Sequence, residues 1–129
     1  MQVATHFILY VADQARSEAF YATVLELQPR LSVPGMTEFT LPGGGVLGLM
    51  PEHGIKVLLG AALPDPGPGA GFPRAELYLV VPDPQLFHRR ALSAGARELS
   101  PIQARSWGQS VAYSLDLDGH VLAFAHAST

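Results

Sequence analysis

Two side chains able to bind a metal ion or move a proton, His6 and Glu76, stand at equivalent points of a repeated pattern: His6 opens the run HFILYVAD (6–13) and Glu76 opens ELYLVVPD (76–83). An imidazole ligates divalent metals and exchanges protons near neutral pH. A carboxylate facing a pocket needs a cation, a hydrogen-bonding ligand or a partner such as His6, or it loses its charge. It is also the group a general base uses, which makes Glu76 the candidate catalytic residue. The competing roles are structural: Glu76 could pair with Arg74, and His6 could hydrogen-bond to Glu76 or to backbone. Trp107 and Tyr113 would give flat apolar walls with a polar edge, suited to a ring-shaped ligand, although both also suit a sheet core. Tyr78, Phe39 and Met50 are further candidates of this kind. Arg105 could take a carboxylate or phosphate, or remain a solvated loop cation. The expected ligand-binding set is thus His6, Phe39, Met50, Glu76, Tyr78, Arg105, Trp107 and Tyr113.

Strands and helices must position these groups. Side chains two apart on a strand share a face. His6, Ile8 and Tyr10 form one row, and Glu76, Tyr78 and Val80 the equivalent one. The opposite rows, Phe7, Leu9, Val11 and Leu77, Leu79, Val81, are apolar and should lie under helices, turning His6 and Glu76 the other way. Asp13 and Asp83 read as helix N-caps. Helical spacing follows in both halves, through Ala19, Phe20, Val24, Leu25 and Leu27, then Leu86, Phe87, Ala91, Leu92 and Ala94. Gly95 ends the second helix, whereas the first runs out through Glu26, Leu27 and Gln28 to Pro29. Residues 36–41, 46–50 and 56–59 read as strands, as do 111–117 and 121–125 around the turn Asp118-Gly119-His120. The segment LPGGGVLG lies between strands, so it is a hairpin turn rather than a phosphate loop. A Pro- and Gly-rich linker at 62–73 separates modules at 1–61 and 74–129. The predicted class is α+β, a single domain of two βαβββ modules. Their strands would form a curved mixed sheet with helices on the convex side and a ligand hollow on the concave side.

With 129 residues, the halves must share one core. A composition 48% hydrophobic and 15% charged predicts a folded globular chain. The net charge of -3 and the lack of a basic run argue against nucleic acid as a partner. The absence of cysteine excludes disulfides, thiolate metal sites and cysteine nucleophiles. No signal-peptide pattern and no membrane-length apolar run is present, so the expected place is the cytoplasm, with no membrane partner.

The ordered motifs resemble the vicinal oxygen chelate (VOC) superfamily of glyoxalase I, extradiol dioxygenases, fosfomycin-resistance enzymes and bleomycin-resistance binding proteins. The residues carrying the resemblance are His6, Val11, Asp13, Phe20, Tyr21 and Leu25, then Val81, Asp83, Gly95, Ala96, Trp107, Gly108, Tyr113 and the run DLDGHVL (116–122). They span nearly the whole chain. Glu26 stands where the family usually has glycine, and Leu117 replaces the proline of the usual DPDG turn. In metal-dependent members, the resemblance implies four inward-facing ligand positions, which fall here on His6, Gly48, Glu76 and Ala123. Only His6 and Glu76 carry donors, so no metal cofactor is expected; if a divalent ion is bound, those two hold it. His53 in a loop, His120 in a hairpin turn and His126 near the chain end are the other histidines that could substitute. The resemblance implies a small-molecule-binding protein of the bleomycin-resistance type, a homodimer taking a small aromatic or apolar ligand. The alternative is a divalent-metal-dependent lyase or isomerase of the glyoxalase I type, or an oxygenase of the extradiol dioxygenase type.

Overall fold

Each half of the chain starts its long helix on an aspartate. Asp13 lies in extended backbone and its carboxylate accepts from Arg16 N at 3.0 Å, while Asp83 accepts from Leu86 N at 3.1 Å. These bonds satisfy backbone donors that a helix start leaves open. Pro84, with no N–H to leave unpaired, follows the second cap. In the computed structural model, which describes residues 3–128, the chain divides into two compact units between Ala70 and Gly71.

The first unit runs β1 (His6–Val11), α1 (Gln14–Leu25), β2 (Leu31–Val33), β3 (Met36–Thr40), β4 (Val46–Pro51) and α2 (Glu52–Leu59). Its sheet has the order β1-β4-β3-β2, with β1 and β4 parallel and the other pairs antiparallel. The second runs β5 (Glu76–Val80), α3 (Pro84–Ser93), β6 (Arg97–Ala104), β7 (Gln109–Leu115) and β8 (Val121–Ala127). Its order is β5-β8-β7-β6, again with the one parallel pair, β5 and β8. The repeat in the sequence is therefore a repeat of topology, two βαβββ modules of the α+β class. A parallel pair needs a long crossover, and α1 and α3 lie within those connections. The segment LPGGGVLG forms the β3–β4 hairpin, closed by Leu41 N donating to Gly45 O at 2.7 Å.

One expected strand is corrected. Residues 56–59 form the second half of α2, which buries Ile55. Lys56 Nζ donates to the carbonyls of Gly60 at 3.1 Å and Leu63 at 2.5 Å, placing a cation on acceptors just beyond the helix end. The remaining strand of the module is β2, whose three residues are too few to show a period. His53 is consequently helical rather than in a loop, and His126 lies within β8.

The helices close one face of each sheet. α1 buries Ser17, Phe20, Tyr21, Val24 and Leu25 and packs over β3 and β4. Gln14 Nε2 donates to Thr37 Oγ1 at 3.0 Å, and Thr37 Oγ1 donates to Glu18 Oε1 at 2.7 Å, which marks the Thr37 side as the covered face. Each fully buried Phe, Leu or Val there contributes roughly 1.5–3 kcal/mol relative to exposure. Because α1 lies over β3 and β4, the apolar row of β1 is only partly covered: Leu9 and Val11 are buried, but Phe7 is 69% exposed. In the second module α3 packs over β6, β7 and β8, with the Phe87 and Phe124 ring centroids 5.6 Å apart. Its buried stripe is Pro84, His88 and Ala91, while Leu86, expected inside, is exposed. His88 keeps its buried place by pairing Nε2 with Glu98 Oε2 at 2.9 Å. Among the described residues, no helix is long and apolar enough to cross a membrane.

Two backbone positions carry testable costs. Asp116 Oδ1 accepts from Asp118 N and His120 N and organises the β7–β8 turn, where Gly119 has φ +87°. A Cβ on Gly119 would stand 2.8 Å from Gly71 Cα and C, in the backbone stretch whose Gly71 N donates to Asp118 O at 3.1 Å. Gly119→Ala should therefore destabilise by roughly 2–4 kcal/mol, from left-handed strain plus overpacking. Glu26, at φ 54° and ψ 47°, holds a left-handed helix cap with a side chain. Glu26→Gly should stabilise by about 0.5–1 kcal/mol, the relieved strain being partly offset by chain entropy. Urea midpoints check both; an unchanged Gly119→Ala or a weakened Glu26→Gly contradicts this account.

Candidate functional site

Register decides which side chains share a face. In the first module Ile8 lies opposite Gly48 and Gly48 opposite Glu38, while Tyr10 pairs with Met50 and His6 with Val46. These residues occupy the face that α1 does not cover. On it His6 Nδ1 approaches Glu38 Oε2 at 3.5 Å, and Arg30 Nε donates to Glu38 Oε1 at 3.0 Å. The Glu38 side chain is only 13% exposed, so this carboxylate is held between two nitrogen partners. His6 therefore has a carboxylate partner within its own module, Glu38, which the sequence reading did not single out. Met50 lies on the expected face. Phe39 does not: it pairs with Leu47 on the α1 side and is fully buried. Its assignment as a pocket wall is corrected, because alternation alone cannot say which parity of β3 faces the helix.

The second module gathers most of the expected residues. Tyr78 lies opposite Ala123, Ala123 opposite Tyr113, and Tyr113 opposite Ser100. Val111, Ala123 and Ala125 form a fully buried apolar floor with Tyr78 and Tyr113 packed against it. The hairpin joining β6 to β7 then folds two side chains over this face. Trp107, 56% exposed, donates from Nε1 to the Tyr78 hydroxyl at 3.0 Å, and that hydroxyl donates in turn to Gln109 Oε1. Arg105 donates from Nη2 to Ser100 Oγ at 2.6 Å and to Val111 O at 3.3 Å, with its Cζ 5.1 Å from the Tyr113 ring centroid. Trp107 is thus not a core filler, and Arg105 is not a freely solvated loop cation.

Glu76 is exposed at the start of β5, and no ion pair joins it among the described residues. The expected partner Arg74 donates instead to Phe72 O at 2.8 Å. Burial holds the Tyr113 hydroxyl above its ordinary value of 10.0, the negative charges of Glu76 and ionised Tyr78 add to the rise, and the Arg105 guanidinium opposes it. Gln109, Ser100 and Glu38 are the site residues that sequence reasoning missed. Gln109 was within reach, since it shares parity with Val111 and Tyr113.

The family model of the Glyoxalase/Bleomycin resistance protein/Dioxygenase superfamily matches residues 4–124. The chain belongs to that superfamily. Similar solved structures include a glyoxalase-related enzyme from Fulvimarina pelagi, 22% identical with a TM-score of 0.79, covering 98% of this chain and 88% of that one. A glyoxalase/bleomycin resistance protein/dioxygenase from Nocardioides is 19% identical with a TM-score of 0.77, covering 98% and 84%. A superfamily enzyme from Burkholderia phytofirmans PsJN is 16% identical with a TM-score of 0.79, covering 96% and 98%. No curated protein matches the chain.

Of the four ligand positions implied by the superfamily, Gly48 and Ala123 carry no side-chain donor. A Cβ at Gly48 would meet Ile8 Cγ1 at 3.0 Å and Met36 Sδ at 3.3 Å, so apolar neighbours close over the second position. Ala123 is fully buried in the floor under the two tyrosines. His6 and Glu76 remain, and among the described residues no group of three or more His, Asp or Glu is placed to hold a metal. A separate cleft of about 370 Å³ lies beside α1, lined by Gln14, Ala15, Glu18, Ser32, Val33 and Pro34. Gln14 and Glu18 there are bound to the β2–β3 hairpin rather than presented to a ligand.

The raised folded-state value of Tyr113 gives a stability contribution fully present below pH 10.0, the unfolded value, and lost as pH rises through the folded one. Spectrophotometric titration of the four tyrosines should include a late transition that is absent in Tyr113→Phe. Glu76→Gln should bring it earlier and Arg105→Gln later still. Ionisation of Tyr113 at or below 10.0 contradicts the packing described.

Proposed function

We propose that this chain is a small-molecule-binding protein that seats a flat, largely apolar ligand on the helix-free face of its second module, with no metal ion in the binding step. The observation carrying this reading is Trp107. An indole 56% exposed gains nothing from core burial, yet its N–H is held by Tyr78 beside a fully buried floor of small side chains. Aromatic walls fixed before the ligand arrives lower the ordering cost of binding. Glu76 is the group available to hydrogen-bond a ligand or move a proton at the β5 edge.

The proposal includes a cytoplasmic homodimer. Supporting the pairing, β1 and β5 each end their sheet, and Phe7, Ile8 and Val80 on them are exposed; an apolar sheet edge is a template for a further strand.

A panel of aromatic metabolites and antibiotics, read by melting temperature and by the emission of the single tryptophan, tests the binding reading. At least one compound should raise the melting temperature and perturb Trp107, and Trp107→Ala should weaken it about tenfold or more. A panel without a single binder removes the support. Elemental analysis of gently purified protein should find no stoichiometric divalent ion. An ion lost in both His6→Ala and Glu76→Ala would restore the metal-dependent enzyme.

A further inference from the structure

We infer that the ligand of the second module is a planar organic acid whose carboxylate is taken by Arg105. This rests on the reading of that face as a binding surface and specifies its chemistry. Arg105 is a half-buried cation with no carboxylate partner among the described residues. Its hydrogen bonds, from Nη2 to Ser100 Oγ and Val111 O, go to neutral acceptors, and Nε is buried with no acceptor at all. A guanidinium withdrawn from water needs an anion or a full set of acceptors, and here it has neither.

The side chain is nonetheless held in place. Two hydrogen bonds and the Tyr113 ring fix it on the same face as the aromatic walls. A cation whose Nη1 is unused, placed before its counter-ion arrives, can donate a charge-assisted hydrogen bond to a carboxylate oxygen. Tyr78, Tyr113 and Trp107 beside it set the remainder of the ligand as flat and apolar. The one carboxylate near Tyr113, Glu76, does not compete for the same end. It lies on β5 and Ser100 on β6, at opposite edges of the sheet, three strand spacings or roughly 14 Å apart.

The test uses 2-naphthoate and its neutral analogue 2-naphthamide, titrated into the full chain and followed by Trp107 fluorescence. Naphthoate should bind about tenfold or more tightly than naphthamide, as expected for a charge-assisted bond. Arg105→Gln should bring that ratio close to one. On the wild-type chain alone, added salt should weaken naphthoate and not naphthamide, which keeps the inference testable if the variant misfolds. Equal affinity for the two compounds, or a ratio that survives Arg105→Gln, overturns the inference while leaving the binding face standing. Failure of both compounds to bind, with other aromatic molecules binding, also overturns it. If no aromatic molecule binds, the reading of the face itself is lost.

Discussion

Parallel pairing of the first and last strands of each module is the constraint on which the rest of the structure depends. It requires a crossover, the crossover contains a helix, and the helix covers one face of the sheet and leaves the other to be finished by side chains. In the second module the β5–β8 and β8–β7 ladders set Tyr78, Ala123 and Tyr113 in one line. A slip of one residue would turn Leu122 and Phe124 outward and bring Ala123 and Ala125 under α3. The small residues therefore do more than fill space, because they leave room on the open face for tyrosine rings to lie against the sheet.

The two open faces, built on one topology, are finished with different chemistry. In the first module, His6 and Arg30 flank Glu38, and Ile8 and Met36 close over Gly48. In the second, the polar groups are hydroxyl, amide, indole and guanidinium, arranged around rings. Superfamily membership accounts for the shared scaffold. The reaction or ligand must be argued from these side chains.

Much of this organisation was legible in the sequence because it repeats. The paired aspartates announced both helix starts, and alternation correctly placed His6, Ile8 and Tyr10 on one side and Leu9 and Val11 on the other. Three things were not legible, for physical reasons. Residues 56–59 have strand-like composition, but the segment is helical, and Lys56 reaches forward past the helix end to the carbonyls of Gly60 and Leu63. Phe39 has the size of a pocket wall, yet its face depends on register with β4, which a single strand does not contain. His88 sits where an apolar residue is expected, and only its long-range partner Glu98 makes that burial tolerable. The Tyr78, Trp107 and Gln109 network likewise joins residues distant in sequence through a hairpin whose fold-over has no local signature.

The central claim is that a ligand lies on the face opposite α3, over the Tyr78 and Tyr113 rings that cover Ala123 and Ala125. Alanine-methyl NMR separates the two faces of the sheet, since Ala112 on β7 lies on the α3 side and Ala123 and Ala125 on the other. Titration with a binding aromatic acid should shift the Ala123 and Ala125 methyls and the Trp107 indole N–H, with Ala112 nearly still. Shifts confined to Ala112, or to the first module, would contradict the account.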